Sequence, residues 1–284
     1  CRPKRCHFLH PAVELVGELK VVDISIPEKI VGDENIRVHT IDREDIDFLL
    51  QKRKPDSHKG TYGHLLIIGG SAGKGGAAAM AALSALRMGN GLVSLAVPES
   101  INSSIETSPL EIMSIPLPET NEGSIDIAAK DTLLKSLNDK SAVLIGPGIS
   151  TSSETIELLL SIVPELKIPL VIDADGLNCL AKDLNVFKKV KGRAIITPHP
   201  GEMSRLAGKT VKDVQADRIG IALEFASEYD VTVVLKGAGT VIAFPDGNAF
   251  INTTGNPGMA TAGTGDVLAG MAAGLLAQKV SPED

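Results

Sequence analysis

From position 65 onward, short apolar runs alternate with stretches whose apolar residues recur at helical spacing. The runs cover 65–68, 92–97, 142–145, 170–172, 194–196 and 231–235. They are rich in Val, Ile and Leu and show no polar alternation, which predicts strands covered on both faces and hence a parallel sheet. Helices are predicted between them over 76–88, 153–162 and 214–229, and the apolar run 267–276 has helical potential. The resulting βαβα rhythm is that of a layered α/β domain with a mainly parallel central sheet. Near the end, 240–244 and 249–252 flank Pro245-Asp246-Gly247-Asn248, which predicts a hairpin at the sheet edge. Before about Val38 the rhythm fails. There 19–26 reads as a lone strand, followed by Pro27 and a charged, turn-prone stretch to Arg37, together a remnant and a linker.

The segments that follow the runs are Gly69-Gly70-Ser71, Gly146-Pro147-Gly148, Asp173-Ala174-Asp175-Gly176, Thr197-Pro198-His199-Pro200-Gly201-Glu202 and Lys236-Gly237-Ala238-Gly239-Thr240. Polar and glycine-rich residues thus gather at the carboxyl ends of strands, where open α/β sheets bind ligands.

Composition narrows the partners. With 284 residues, 43% hydrophobic and 22% charged, the chain can bury one large core and is not disordered. A net charge of -7 argues against nucleic acid or an anionic membrane as partner, so any phosphate must be held locally. Cys1, Cys6 and Cys179 lack metal-type spacing, which points to reduced thiols, a cytoplasmic setting and no zinc site. No apolar run reaches the ~20 residues of a membrane span, and no signal peptide is evident. Trp is absent and aromatics make up 3%, against a base-stacking platform. The first residue is not Met and 280–284 reads as a turn and helix start, so a fragment is expected.

Gly263-Thr264-Gly265-Asp266 precedes the last apolar run. Backbone N–H groups exposed there at a helix N-terminus form an anion hole; the alternative is a helix capped by Thr264 or Asp266. A carboxylate beside a phosphate cradle repels the ligand, so Asp266 makes sense as the group that takes a proton from an attacking hydroxyl. Gly69-Gly70-Ser71-Ala72-Gly73-Lys74-Gly75-Gly76 follows a strand and opens a helix, but it fits neither the Walker A nor the dinucleotide fingerprint. It reads as a small-residue loop that approaches a substrate, or as helix–sheet packing by the alanines of 77–82. Asp173 and Asp175, with Glu202, are candidate magnesium ligands; Asp175 is equally a candidate helix cap. His199 and Glu202 sit in a segment stiffened by two prolines, which favours a site. Lys236-Gly237-Ala238-Gly239-Thr240 links two strands and can bracket a ribose or phosphate. His7, His10, His39, His58 and His64 are read as surface or linker residues.

Together with Asp56-Ser57-His58-Lys59-Gly60-Thr61-Tyr62-Gly63, these motifs resemble, in this order, the ADP- or ATP-dependent NAD(P)H-hydrate dehydratase family, a branch of the ribokinase-like superfamily. The resemblance runs from about Thr40 to the end. It implies a three-layer α/β/α fold and repair of the 6S hydrate of NADH or NADPH with ADP or ATP and Mg2+. It also implies Asp266 as the base, with Ala77, Gly148, His199 and Asp266 at the hydrated dinucleotide. Lys236, Gly237, Ala238, Gly239, Thr240 and Gly265 fall at the adenine nucleotide, Gly263, Thr264 and Gly265 at the phosphate, and a homo-oligomer is expected. Residues 1–30 resemble the end of an NAD(P)H-hydrate epimerase domain, 31–55 a linker with a lead-in helix, and 56–284 the dehydratase domain, whose family pattern continues beyond Asp284. The fusion order leans toward ADP. Two rivals are a small-molecule kinase acting on a vitamin precursor, which would release a stable phosphate ester, and a catalytically silent nucleotide-binding domain.

Overall fold

The computed structural model describes residues 3–33, 36–46, 52–107 and 110–283. Among these residues ten strands form one sheet: β1 (Val38–Thr40), β2 (His64–Ile68), β3 (Leu92–Pro98), β4 (Met113–Leu117), β5 (Ala142–Ile145), β6 (Leu170–Ile172), β7 (Ala194–Ile196), β8 (Thr232–Leu235), β9 (Thr240–Ala243) and β10 (Ala249–Asn252). Their order is β1-β10-β9-β8-β7-β6-β5-β2-β3-β4. Strands β2 to β8 run parallel, β9 is antiparallel to β8 and β10, and β1 pairs parallel with β10. The helices are α1 (Glu28–Asp33), α2 (Gly75–Arg87), α3 (Glu99–Ile105), α4 (Lys130–Ser136), α5 (Ser153–Ile162), α6 (Asp175–Leu180), α7 (Pro200–Ala207), α8 (Val211–Ala216), α9 (Arg218–Tyr229) and α10 (Thr264–Ala277).

Alternate residues of the central strands serve opposite faces, as the pleat requires. Leu65, Ile67, Val93, Leu95 and Leu144 pack under α2 and α10. Leu66, Ile68, Val143, Ile145 and Ile172 pack with α5, α6, α7 and α9. Both faces are therefore buried, and the expected three-layer α/β/α architecture with a mainly parallel sheet results. The alanines of α2 serve this packing: Ala78, Ala81, Ala82 and Ala85 are fully buried. They let α10 approach so closely that a Cβ on Gly270 would lie 2.1 Å from the Ala81 carbonyl oxygen. Larger residues along this seam would overpack it by about 1–3 kcal/mol.

Several expectations change. Residues 19–26 are exposed and form none of the strands of the sheet among the described residues, and a strand needs a ladder of bonds along its length. The hairpin is real, but β1 lies outside β10, so it is one strand in from the edge. The predicted helix 214–229 is two, α8 and α9, divided at Asp217 (φ −140°, ψ 69°), whose carboxylate accepts the Gly220 N–H at 2.9 Å. Strand β4 has no counterpart among the apolar runs. Of the lead-in segment, 34–35 and 47–51 lie outside the described residues, as do Cys1 and Asp284. Cys6 and Cys179 are free thiols. Among the described residues no helix is long and apolar enough to cross a membrane.

Candidate active site

Strands β8, β7, β6, β5 and β2 are consecutive in the sheet, so the five loops read from the sequence stand side by side along its carboxyl edge. Each is tied to a neighbour. Gly70 N–H donates to the Pro147 carbonyl (2.8 Å), Asp173 N–H to Ile145 (3.0 Å), Thr197 N–H to Ile172 (3.1 Å) and Lys236 N–H to Pro198 (2.9 Å). A rigid edge of this kind holds side chains without a large entropy cost.

At its centre is Asp173, whose side chain is 2% exposed. Its Oδ1 accepts the Thr197 hydroxyl and the Lys236 ammonium, each at 2.7 Å. The same Nζ lies 3.9 Å from Glu202 Oε2, and a Cβ built on Gly265 would sit 3.6 Å from it. One lysine thus joins two buried carboxylates to the first turn of α10. Glu202 is anchored by the His199 N–H (2.7 Å), while burial pushes its carboxyl above the usual range and Lys236 opposes that. His199 caps α7: Nδ1 accepts the N–H groups of Gly201 (2.9 Å) and Glu202 (3.3 Å). An accepting Nδ1 carries no proton, so the ring presents Nε2 as its donor face, 3.3 Å from Glu202 Oε1. Burial first, then Lys236 and Arg205, hold the imidazole below its ordinary pKa.

The N-cap of α10 is Gly263 (φ +89°), and no side chain caps the helix. Thr264 and Asp266 therefore do not play the capping role open to them in the sequence. Asp266 lies in the first turn, half-buried; burial raises its pKa and the charge of Asp173 raises it further, against the pull of Lys236. Asp266, Asp173, Lys236, Glu202 and His199 thus form one electrostatic cluster beside the positive end of a helix of 14 residues.

Ala77 and Gly148, both expected at the dinucleotide, are neighbours: a Cβ on Gly148 would lie 3.3 Å from the Ala77 Cβ and 2.5 Å from the Lys74 carbonyl oxygen. Asp175 has partners different from those of the central carboxylates. It is the first residue of α6 and not its cap; it accepts from Lys74 Nζ at 3.0 Å and from Asn178 Nδ2 at 3.2 Å. In the Lys236-to-Thr240 loop, the Thr240 hydroxyl donates to the Gly237 carbonyl at 2.9 Å, and Gly237 and Ala238 are exposed.

Two residues with structural consequences escaped the sequence. Arg218, whose pKa burial lowers, donates to the Leu235 (2.9 Å) and Lys236 (3.3 Å) carbonyls and so braces this loop from α9. His64, read as a surface residue, is buried at the opposite edge of the sheet. Its Nε2 pairs with Ser94 Oγ (2.8 Å) and its Nδ1 lies 3.1 Å from Asp139. Neither has a local motif; only folding brings their partners near.

The fold and the cluster at its carboxyl edge define a ribokinase-like α/β/α protein. A family profile for NAD(P)H-hydrate dehydratase matches residues 65–284. An ADP-dependent (S)-NAD(P)H-hydrate dehydratase of Neisseria meningitidis serogroup B is 39% identical over 235 residues, 82% of this chain and 75% of that protein. The chain belongs to the NAD(P)H-hydrate dehydratase family. The solved structure of the ADP/ATP-dependent NAD(P)H-hydrate dehydratase from Bacillus subtilis, co-crystallized with ATP/Mg2+, superposes with a TM-score of 0.70 at 31% identity, covering 87% of this chain and 84% of that one. A bifunctional NAD(P)H-hydrate repair enzyme of Moorella thermoacetica is 44% identical over 280 residues, 99% of this chain but 53% of that protein. The chain therefore spans about half the length of this curated relative.

Proposed function

We propose that this chain restores NADH or NADPH from the 6S hydrate, using ADP or ATP as phosphoryl donor. The observation that carries the reading is Asp266: a half-buried carboxylate of raised proton affinity, in the first turn of an uncapped helix and in the field of Lys236. Hydroxide is a poor leaving group, whereas phosphate is a good one. Asp266 removes the proton of the ring hydroxyl, and the oxygen attacks the terminal phosphoryl of ADP, releasing AMP. The N–H groups at Gly263, Thr264 and Gly265 stabilise the charge developing on the transferred group. The electrons of the ring nitrogen then expel phosphate, and loss of a proton from the adjacent ring carbon restores the reduced nicotinamide.

Lys236, Gly237, Ala238, Gly239, Thr240 and Gly265 belong to the nucleotide in this reading, and Ala77, Gly148 and His199 to the hydrated dinucleotide. Magnesium fits the residues present. Asp173 and Glu202 already share a cation, the Lys236 ammonium, and both offer hard oxygen ligands. Among the described residues no group of three or more ligating side chains forms a closed metal cage, so such an ion would be shared with the nucleotide's phosphates. Bound there, it supplies charge neutralisation for phosphoryl transfer.

We assign 56–284 to the dehydratase domain, 31–55 to a lead-in and 1–30 to the end of an epimerase domain. The match across 99% of the chain to a bifunctional relative about twice as long supports this division. A cytoplasmic setting accords with the free thiols of Cys6 and Cys179. A homo-oligomer accords with the apolar side chains Met80, Leu83, Val267, Leu268 and Met271, exposed on α2 and α10. Incubating the chain with hydrated NADH, ADP and Mg2+ tests the reading. Recovery of reduced-nicotinamide absorbance with one AMP and one phosphate per NADH is expected, whereas a stable phosphate ester would indicate the kinase rival.

A further inference from the structure

Lys74 is a cation beside the residues proposed for the substrate, and the mechanism above gives it no task. Lys74 ends the loop after β2, and its carbonyl accepts the Ala77 N–H at 3.3 Å. Its Cβ lies 3.1 Å from the point a Cβ on Gly148 would occupy. It therefore borders both Ala77 and Gly148. Its ammonium spans from the β2 loop to the β6 loop, where it donates to Asp175 Oδ2 at 3.0 Å. The lysine side chain is 54% exposed and the aspartate 24%, and an ion pair open to water to that degree is weak and easily exchanged.

The charges nearby give that exchange a direction. The dinucleotide carries two negative charges on its pyrophosphate, and a further phosphate in its NADPH form, while the chain is at -7. Lys236 is neutralised by Asp173. Arg205, another cation on this rim, is held by Asn178 Oδ1 (3.0 Å) and the Gly201 carbonyl (3.2 Å). Lys74 can change partners at little cost, since it gives up a single carboxylate in a pair that water already reaches.

We propose that Lys74 is a substrate-binding residue that takes a phosphate of the hydrated dinucleotide, and that Asp175 holds its ammonium beside Ala77 and Gly148 until that phosphate arrives. The inference rests on the dehydratase reading above. It makes Asp175 a competitor of the substrate's phosphate and gives it no part in metal binding.

The test compares the 284-residue chain with Lys74→Ala, Lys74→Arg and Asp175→Asn. KM is measured for hydrated NADH, hydrated NADPH and ADP, and Kd for NADPH alone by its fluorescence. Loss of a charge-assisted contact should raise KM for the hydrates and Kd for NADPH by about tenfold in Lys74→Ala. The KM for ADP should stay within about twofold. Lys74→Arg should retain most of the affinity, and Asp175→Asn should tighten binding of both hydrates. An equal effect on the two hydrates places the pyrophosphate at Lys74; an effect confined to hydrated NADPH places its extra phosphate there. Wild-type turnover with unchanged hydrate KM and NADPH Kd in Lys74→Ala overturns the inference alone. A wild-type chain that restores no NADH overturns the dehydratase reading and the inference with it.

Discussion

Replacing Lys236 with methionine keeps the length of the side chain and removes its charge, which isolates the ion pair with Asp173. That pair is well shielded, with Asp173 2% and Lys236 19% exposed. Removing one partner of a buried pair costs ~3–5 kcal/mol because the other charge is left uncompensated. Asp173 keeps the Thr197 hydroxyl as a donor, so the lower end, about 3 kcal/mol, is expected. In a chain of this size that corresponds to a fall in Tm of roughly 6–12 °C. The matching double variant, Asp173→Asn with Lys236→Met, removes both charges and leaves a carboxamide that can still bond Thr197. It should be more stable than Lys236→Met alone, since the unpaired charge is what destabilises. Thermal and urea unfolding of wild type, Lys236→Met, Asp173→Asn and the double variant closes the cycle. A Lys236→Met chain within about 1 kcal/mol of wild type, or a double variant no more stable than the single, would refute the view that Lys236 is a structural counterion as well as a site residue.

Three further outcomes are expected. As the proposed base, Asp266 would act only as a carboxylate, and burial and Asp173 raise its pKa above 3.8. The acid limb of kcat/KM should therefore fall at higher pH than an ordinary aspartate gives, and a pH–rate midpoint at or below 3.8 contradicts this. His64 is held below its ordinary value of 6.5, chiefly by burial. The unfolded chain takes up that proton first, so the His64 contribution to stability is complete above pH 6.5 and is lost as pH falls below it. His64→Gln should flatten this slope in unfolding measured from pH 7.5 to 5, and an unchanged slope speaks against the assignment. If the Lys236–Thr240 loop holds the nucleotide as proposed, Arg218→Ala should raise the KM for ADP by about tenfold through loss of two charged hydrogen bonds to the Leu235 and Lys236 carbonyls. Arg218→Lys should restore part of that affinity, and KM for the hydrate should be little affected; equal losses for both substrates would indicate general unfolding.

Elements fixed by local pattern were legible in the sequence. Strands β2, β5 and β6 are buried on both faces and read as unbroken apolar runs. The α5 helix matched its expected span because Ser152 caps it and its apolar residues keep helical spacing. What depends on distant partners was not legible. Strand β4 lies at the sheet edge, is partly exposed and contains Pro116, so its run is broken. Strand β1 is three residues long and exists only by pairing with β10. Residues 19–26 look like a strand because local composition carries no information on whether a neighbouring strand extends a ladder along them. Residue types at strand ends singled out Asp173, His199, Glu202 and Lys236, and the glycine-rich start of the last apolar run singled out Asp266; the structure places the five in one cluster. The bonds of Asp173 to Lys236, Asp175 to Lys74 and Arg218 to the β8 loop needed the fold, since a charged residue has many potential partners and sequence does not choose among them.

The measurement that bears most directly on the account is turnover of hydrated NADH with ADP and Mg2+ by wild type and Asp266→Asn, alongside binding of NADPH to each. If Asp266 takes the proton of the ring hydroxyl, Asp266→Asn should lose at least about a hundredfold in kcat while still binding NADPH. Recovery of NADH undiminished in Asp266→Asn would contradict the central claim.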